Sequence, residues 1–339
     1  MHRTRVLLLF GGESAEHEVS IASARNVYAA MDDRKYDITL CYITKDGHWR
    51  LVEDIEVLEG HHHTLLPVLG GKHFVIEPGG RTVVPEVILP ILHGANGEDG
   101  TIQGLAKLLH IPVVGCDILG SAICMDKEVA KRLLQVAGIP VLDSALHRAH
   151  EPKPDFSQLT LKLGNPVFVK PASQGSSVGV SKVHDEAQFT EALHLAHKHD
   201  HKVLIEQAAT GARELECAVL GNDHPEASGV GEIKPEGDFY SYESKYSPTS
   251  TSEVIIPAEL SEEQAEQIRA MAIKAYQALE CRGLARVDFF LTESGEIYLN
   301  ELNTLPGFTN ISMYPKLWRA SGVSYPQLID KLISLALES

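Results

Sequence analysis

The sequence predicts an α/β protein: a parallel sheet with crossover helices at the N-terminus, then two further segments in which strands and helices mix. Three observations carry that class. Over the first hundred residues, apolar runs of strand length alternate with stretches of helical spacing, the order that builds βαβ units. Near Gly120 the texture changes, giving a helix and then a strand, loop, strand, helix, strand series, and the last third ends in a hairpin. The chain has 339 residues, room for two or three domains at about 150 each, and 44% hydrophobic against 22% charged residues excludes disorder as a global state.

Taken in order, residues 6–10 form an apolar run that stops at Gly11-Gly12. It is too short for a signal-peptide core and lacks a small-residue cleavage site, so it reads as a buried first strand. A helix-compatible stretch at 19–31, a strand at 38–43, an apolar run at 87–92 and a helix at 101–109 follow. Ligands of such a sheet sit at the carboxyl ends of its strands, where Gly11-Gly12 and His93-Gly94 fall. A helix over 121–137 is closed by Gly138 and Pro140. Strands at 166–170 and 179–183 flank a Ser/Gly loop, before a helix at 186–198 and a strand at 203–207. A strand at 216–220, a loop-rich stretch at 229–251, an amphipathic helix at 261–279 and a hairpin complete the chain. Boundaries near 121 and 211 give segments 1–121, 122–211 and 212–339.

Charge and composition narrow the function. Thirty Lys+Arg against 46 Asp+Glu leave a net charge of −16, which repels a polyanion and argues against broad nucleic-acid binding. A phosphorylated small molecule stays open, because a local lysine cluster overrides a distant field that salt screens beyond ~10 Å. The five cysteines are widely spaced with no CxxC pair, which points to a reducing compartment rather than a disulfide frame or zinc knuckle. No stretch reaches the ~18 apolar residues of a membrane span, so a soluble, cytoplasmic protein without membrane partners is expected.

The strongest chemical signal is the hairpin Ala285-Arg286-Val287-Asp288-Phe289-Phe290-Leu291, turn 292–295, Glu296-Ile297-Tyr298-Leu299-Asn300-Glu301-Leu302-Asn303. Alternation puts Arg286 and Asp288 on one face and Glu301 and Asn303 likewise on one, and a symmetric turn sets Arg286 opposite Glu301. Asp, Glu and Asn offer only hard oxygen donors, which suit Mg²⁺ rather than zinc. Two carboxylates flanked by Val287, Phe289 and Leu302 repel each other without a cation. The bland alternative is a solvated polar face on which Arg286 pairs Glu301.

The second signal is Phe168-Val169-Lys170-Pro171-Ala172-Ser173-Gln174-Gly175-Ser176-Ser177-Val178-Gly179, a strand entering a Ser/Gly loop. Glycines let backbone N–H groups face an anion, with Lys170 as a point charge. No Walker motif is present. Gly175-x-Ser177-x-Gly179 also matches the serine-hydrolase elbow, which has to run into a helix, whereas 179–183 reads as strand. An inert flexible turn is the third option.

A third set comprises Lys127 within the helix at 121–137, Lys170, Glu206 at the end of a strand, Glu214, and Lys245 in a Gly/Tyr-rich loop. Singly, each is an ordinary solvated charge; only the loop and hairpin raise them. His61-His62-His63 and His194-x-x-His197-x-His199-x-His201 have no Cys or Glu at zinc spacing and read as solvated faces.

Together these segments resemble the D-alanine:D-alanine ligases of the ATP-grasp superfamily. The resemblance runs nearly end to end: Gly11 to Ser20, Leu92 to Gly100, Met125-Asp126-Lys127, Val169 to Gly179, Phe239 to Tyr246, Arg286-Val287-Asp288, and Glu301 to Gly307, seven motifs in the family's order. It implies a three-lobed α/β architecture, with a Rossmann-like substrate-binding domain and two lobes that sandwich ATP. Lys127 and Lys170 would hold the phosphates, the Ser176-Ser177 loop would close over them, Glu206 and Glu214 would bind adenine and ribose, and Lys245 would also bind ATP. Asp288, Glu301 and Asn303 would carry two Mg²⁺ ions, with Mn²⁺ as a possible substitute.

The resemblance also implies the reaction: ATP-dependent joining of two D-alanines, for peptidoglycan precursors, through an acyl phosphate with release of ADP and phosphate. Arg286 and the Gly307 N–H would stabilise the tetrahedral oxyanion. Glu16 would bind the first ammonium and form a triad with Ser176 and Tyr246, while His93, Ser312 and Met313 would place substrates. Gln207 stands where a lysine is frequent, and Met313 where a leucine is. A D-alanine:D-lactate ligase is the nearest rival, and Tyr246 favours the dipeptide. A serine hydrolase built on Ser177 and a non-catalytic nucleotide module are the other classes. A homodimer is implied by the family alone.

Overall fold

The computed structural model describes residues 2–60, 62–234 and 253–338. Three sheets organise it. The first has seven strands: β1 (Thr4–Gly11), β2 (Tyr36–Ile43), β3 (Trp49–Val52), β4 (His63–Val68), β5 (His73–Glu77), β6 (Arg81–Val83) and β7 (Val87–Ile91), in the order β6-β5-β4-β3-β2-β1-β7. Only β2, β1 and β7 run parallel, and β3 to β6 extend the edge as an antiparallel ribbon. The expected parallel sheet is therefore a mixed one. β1 is covered on both faces, and Leu7, Leu8, Leu9 and Phe10 have no exposed surface, as a central parallel strand requires. Helix α1 (His17–Ala30) packs on β1, while α2 (Thr101–Leu109) follows β7 and buries Ile102, Ala106 and Leu109.

The helix expected over 121–137 is two helices, α3 (Ile118–Met125) and α4 (Lys127–Val136). Asp126 ends one and caps the other: its backbone is extended, and its carboxylate accepts from the N–H groups of Glu128 and Val129. Lys127 thus opens a helix instead of lying inside one. The middle sheet is antiparallel, β10-β9-β11-β8, from β8 (Ser144–Arg148), β9 (Val167–Pro171), β10 (Ser181–Val183) and β11 (Lys202–Gln207). Helices α5 (Phe156–Leu163) and α6 (Glu186–Ala196) cover one face through Phe156, Phe189 and Leu193.

The third sheet, β14-β13-β12-β15-β16, contains β12 (Arg213–Leu220), β13 (Glu226–Lys234), β14 (Glu253–Ile255), β15 (Leu284–Leu291) and β16 (Ile297–Asn303). Residues 226–234 are strand, a correction to the loop expected from 229 onward; residues 235–252, with Lys245 and Tyr246, lie outside the described ones. Helix α7 (Glu262–Ala278), opened by a Ser261/Gln264 capping box, buries Ile268, Ala272, Ala275 and Tyr276 beneath this sheet. Helices α8 (Met313–Ala320) and α9 (Tyr325–Leu337) close the chain. Their Tyr314, Leu317, Leu328 and Ile329 share one core with Val6, Phe10 and Val27 of the first lobe, so the last two helices join the C-terminal sheet to the N-terminal one.

Candidate active site

A cleft between the middle and third sheets gathers Lys127, Phe168, Lys170, Gln174 to Ser177, Glu206, Glu214, Glu216, Arg286, Asp288, Phe290 and Glu301. Strand alternation explains the choice. On β9, Val167 and Val169 are buried among apolar side chains of the lobe's core, so Phe168 and Lys170 take the other face. On β15, Val287, Phe289 and Leu291 go into the core, and Arg286, Asp288 and Phe290 point to the cleft. Glu214 and Glu216 on β12 lie opposite Phe290 and Asp288.

The hairpin register differs from a symmetric turn. A bulge between the Asp288/Glu301 and Phe289/Leu299 pairs leaves Asn300 extra, so Asp288 faces Glu301 and Arg286 faces Asn303. Arg286 accordingly does not pair Glu301. Its Nε and an outer nitrogen donate to both oxygens of Asp288 at 2.7 Å, and Nε lies 2.9 Å from Glu216 Oε2. Burial works against its charge, but Asp288 and Glu216 outweigh that, and the guanidinium is held firmly protonated. Asn303 Nδ2 donates to Asp288 Oδ2 at 3.0 Å. Glu301 Oε2 lies 3.4 Å from Lys127 Nζ. The face is half-buried and polar rather than solvated.

Lys127 Nζ also donates to the carbonyl of Gln174 at 2.7 Å, fastening α4 to the Ser/Gly loop. Ser176 and Ser177 both adopt left-handed backbone, with φ of 50° and 59°, uncommon for residues with a Cβ and characteristic of functional loops. The loop runs into strand β10, not a helix, which removes the hydrolase-elbow alternative. Lys170 Nζ donates to Glu206 Oε2 at 2.5 Å, and Lys131 holds the other Glu206 oxygen. Burial pushes the Glu206 carboxyl up, but the two ammonium groups more than offset it and keep it below the usual range.

Glu16 is buried, and its Oε2 is 3.1 Å from where a Cβ on Gly94 would stand, a position whose φ of 72° already demands glycine. The same oxygen is 3.4 Å from a Cβ placed on Gly175, so Glu16 reaches the Ser/Gly loop from the first lobe. His93 is buried with both ring nitrogens engaged: Nδ1 donates to the Leu305 carbonyl at 2.9 Å, and Nε2 meets Ser23 Oγ at 3.2 Å. Burial lowers its pKa and the Glu16 charge opposes this. Ser312 Oγ accepts from Thr309 N at 3.0 Å and would lie only 2.7 Å from a Cβ on Gly307, which ties the Gly307 backbone to the 309–312 turn. Met313 is buried beside Gly231.

Two groups escaped the sequence reading. Glu216 joins Arg286; alternation from Glu214 was the signal for it. Glu98, in the Leu92 to Gly100 motif but without a role, feels the charges of Glu16, Glu301 and Arg286. Burial and then the Glu16 charge push its carboxyl well above the usual range. The histidine clusters hold no metal set among the described residues. His197 is not purely solvated, however: its Nε2 lies 2.8 Å from His147 Nδ1.

Asp288, Glu301 and Asn303 place oxygen donors on one hairpin face, with Glu216 opposite Asp288 on the next strand, and this crowding of carboxylates fits a divalent cation. A family model described as D-ala D-ala ligase N-terminus matches residues 5–116, and one described as D-ala D-ala ligase C-terminus matches 133–334. The chain belongs to the D-alanine:D-alanine ligase family. D-alanine–D-alanine ligase A of Escherichia coli O6:H1 is 49% identical over 353 aligned positions, covering 100% of this chain and 97% of that protein. D-alanine–D-alanine ligase A of Chromobacterium violaceum is also 49% identical, with 100% and 96% covered. Among solved structures, the D-alanine-D-alanine ligase from Coxiella burnetii superposes with a TM-score of 0.89 at 37% identity, covering 100% of this chain and 95% of that one. The VanG D-Ala:D-Ser ligase from Enterococcus faecalis gives 0.89 at 36%, with 99% and 100% covered. The architecture is thus the ATP-grasp fold of these ligases. No helix among the described residues is long and apolar enough to cross a membrane.

Proposed function

We propose that this ligase joins two D-alanines in the cleft between the middle and third sheets, spending ATP, with the site residues in the following roles. The observation that carries the reading is the meeting of Lys127, Lys170, Arg286, Asp288 and Glu301 in one cleft beneath a Ser/Gly loop. A carboxylate is a poor electrophile, so the γ-phosphoryl group passes to the first D-alanine's carboxylate, forming an acyl phosphate and ADP. The second D-alanine's amine then attacks the acyl carbon, its proton is lost, and phosphate leaves.

Lys127 and Lys170 bind the phosphates, the Ser176-Ser177 backbone covers them, and Lys245 is a further ATP-binding residue. Glu206 and Glu214 lie toward the base and ribose. Glu16 holds the first ammonium group, and Ser176 with Tyr246 completes its hydrogen-bonded triad. Arg286 and the Gly307 N–H face the tetrahedral oxyanion. His93, buried and neutral, sets the 305–308 backbone through Leu305, and Ser312 and Met313 border the second substrate. Asp288, Glu301 and Asn303 would hold two Mg²⁺ ions, for which Mn²⁺ could substitute; bound there, they neutralise phosphate charge. A cytoplasmic homodimer making a peptidoglycan precursor accords with the family.

The second substrate is the finer question, because a D-Ala:D-Ser ligase shares the fold. Tyr246 favours an amine over D-lactate. The test is ADP release with each alanine enantiomer alone, followed by product analysis with D-alanine plus D-serine or D-lactate. D-alanyl-D-alanine as the dominant product at neutral pH supports the proposal. ADP release without D-alanine dependence, or a dominant ester, overturns it.

A further inference from the structure

We propose that Lys131, which does not line the cleft, is a positioning residue for the nucleotide phosphates: by sharing Glu206 with Lys170, it leaves one uncompensated positive charge at the cleft floor. The inference rests on the nucleotide reading of this cleft and adds a residue to it.

Lys131 lies one helical turn after Lys127 on α4, between Ala130 and Leu134 on the buried side of the helix. An ammonium in an apolar stripe is costly unless paired. Its side chain is 6% exposed, that of Glu206 3% and that of Lys170 11%, so all three are largely out of water. Lys131 Nζ donates to the Leu142 carbonyl at 2.9 Å and pairs Glu206 Oε1, while Lys170 Nζ pairs Glu206 Oε2. Burial lowers the Lys131 pKa, the Glu206 charge opposes that, and Lys170 repels. Asp143, the remaining acid facing it, is exposed and screened.

One carboxylate between two largely buried ammonium groups leaves an excess charge that water screens only weakly. Lys170 is the member that opens onto the cleft, so the excess is felt there, beside Lys127. A lone Lys170–Glu206 pair would be neutral and would hold an anion less well. Lys131 therefore acts on the phosphates through Glu206, without touching them.

The test measures equilibrium binding of a non-hydrolysable ATP analogue, with Mg²⁺, to the full chain. Lys131→Met should raise its Kd about tenfold, the scale of one charge-assisted contact, and leave the D-alanine KM within about threefold, less than half a decade in Kd terms. Lys131→Arg keeps the charge and should hold Kd within about threefold of wild type, whereas Lys131→Gln, which keeps a hydrogen-bond donor but no charge, should weaken binding as Lys131→Met does. A packing role makes the opposite demand, because the bulkier guanidinium disturbs a buried site more than an uncharged side chain. Unchanged Kd in Lys131→Met, or Lys131→Arg as weak as Lys131→Met, overturns the proposal. If Lys131→Met does not fold, Lys131→Gln and Lys131→Arg carry the test: weakened binding in the first with wild-type-like binding in the second supports it, and the same Kd in both overturns it. Failure of the wild type to bind nucleotide would instead reject the reading of the cleft itself.

Discussion

The two walls of the cleft are built by the same rule and carry opposite charge. On the side of the middle sheet, one carboxylate, Glu206 of β11, sits between two ammonium groups, Lys170 of β9 and Lys131 of the adjoining helix α4. On the third, one guanidinium, Arg286, sits against Asp288 and Glu216 with Glu301 opposite Asp288 across the hairpin. Lys131 aside, both come from strand alternation that sends valine, phenylalanine and leucine inward and polar groups to the cleft. The difference teaches a division of labour. The cation-rich wall suits phosphate oxygens directly, whereas the acid-rich wall would suit them through a divalent cation held by Asp288 and Glu301, beside the Arg286 guanidinium proposed for the oxyanion.

That contrast should break most visibly on the acid-rich wall. Glu301→Gln is expected to lower kcat by about 10²–10³-fold with the circular-dichroism spectrum intact; equal rates at saturating magnesium would remove Glu301 from the metal site. Next in size, Lys170→Met on the opposite wall should raise the ATP KM and lower kcat, each by roughly tenfold or more, while Kd for D-alanine holds. Steady-state kinetics with ATP and D-alanine varied separately would show whether the two walls divide the work as described. A smaller effect is expected between them, at Gly94: alanine there adds a strained φ of 72° and a Cβ 3.1 Å from Glu16 Oε2. The D-alanine KM should rise several-fold and the ATP KM stay put.

The smallest effect lies outside the cleft and serves as a control. Arg213 grips Glu232 with two bonds of 2.9 and 2.6 Å, and this side-chain bonding holds the Glu232 carboxyl below its ordinary value against the pull of burial. A depressed folded-state pKa means the unfolded chain takes up the proton first as pH falls. The stabilisation is therefore full above the ordinary carboxylate range and disappears as pH drops through the folded value. Glu232→Gln should cost about 1 kcal/mol at pH 7, and the Tm gap to wild type should close on acidification with activity unaffected at neutral pH.

Much of the cleft was legible because alternation and residue chemistry act locally. Asp288, Glu301 and Lys170 could be assigned to their strands, and the strand after the Ser/Gly loop could be told from a helix. Long-range details were not legible. A single extra residue, Asn300, moved the hairpin pairing so that Arg286 met Asp288 and Glu216. One capping aspartate, Asp126, split a continuous apolar periodicity into two helices. Strands β3 to β6 are only three to six residues long, and they owe their pairing to the sheet edge more than to pattern. Lys131 carried no signal in the sequence, since its partner is 75 residues away and only the fold supplies it.

The most direct measurement is a crystal structure of the protein with a non-hydrolysable ATP analogue and Mg²⁺. The triphosphate is expected between Lys127 and Lys170 on one side and the oxygens of Asp288, Glu301 and Asn303, bridged by metal, on the other. A nucleotide seated in another cavity, or phosphates that leave those five side chains untouched, would contradict the assignment of the cleft.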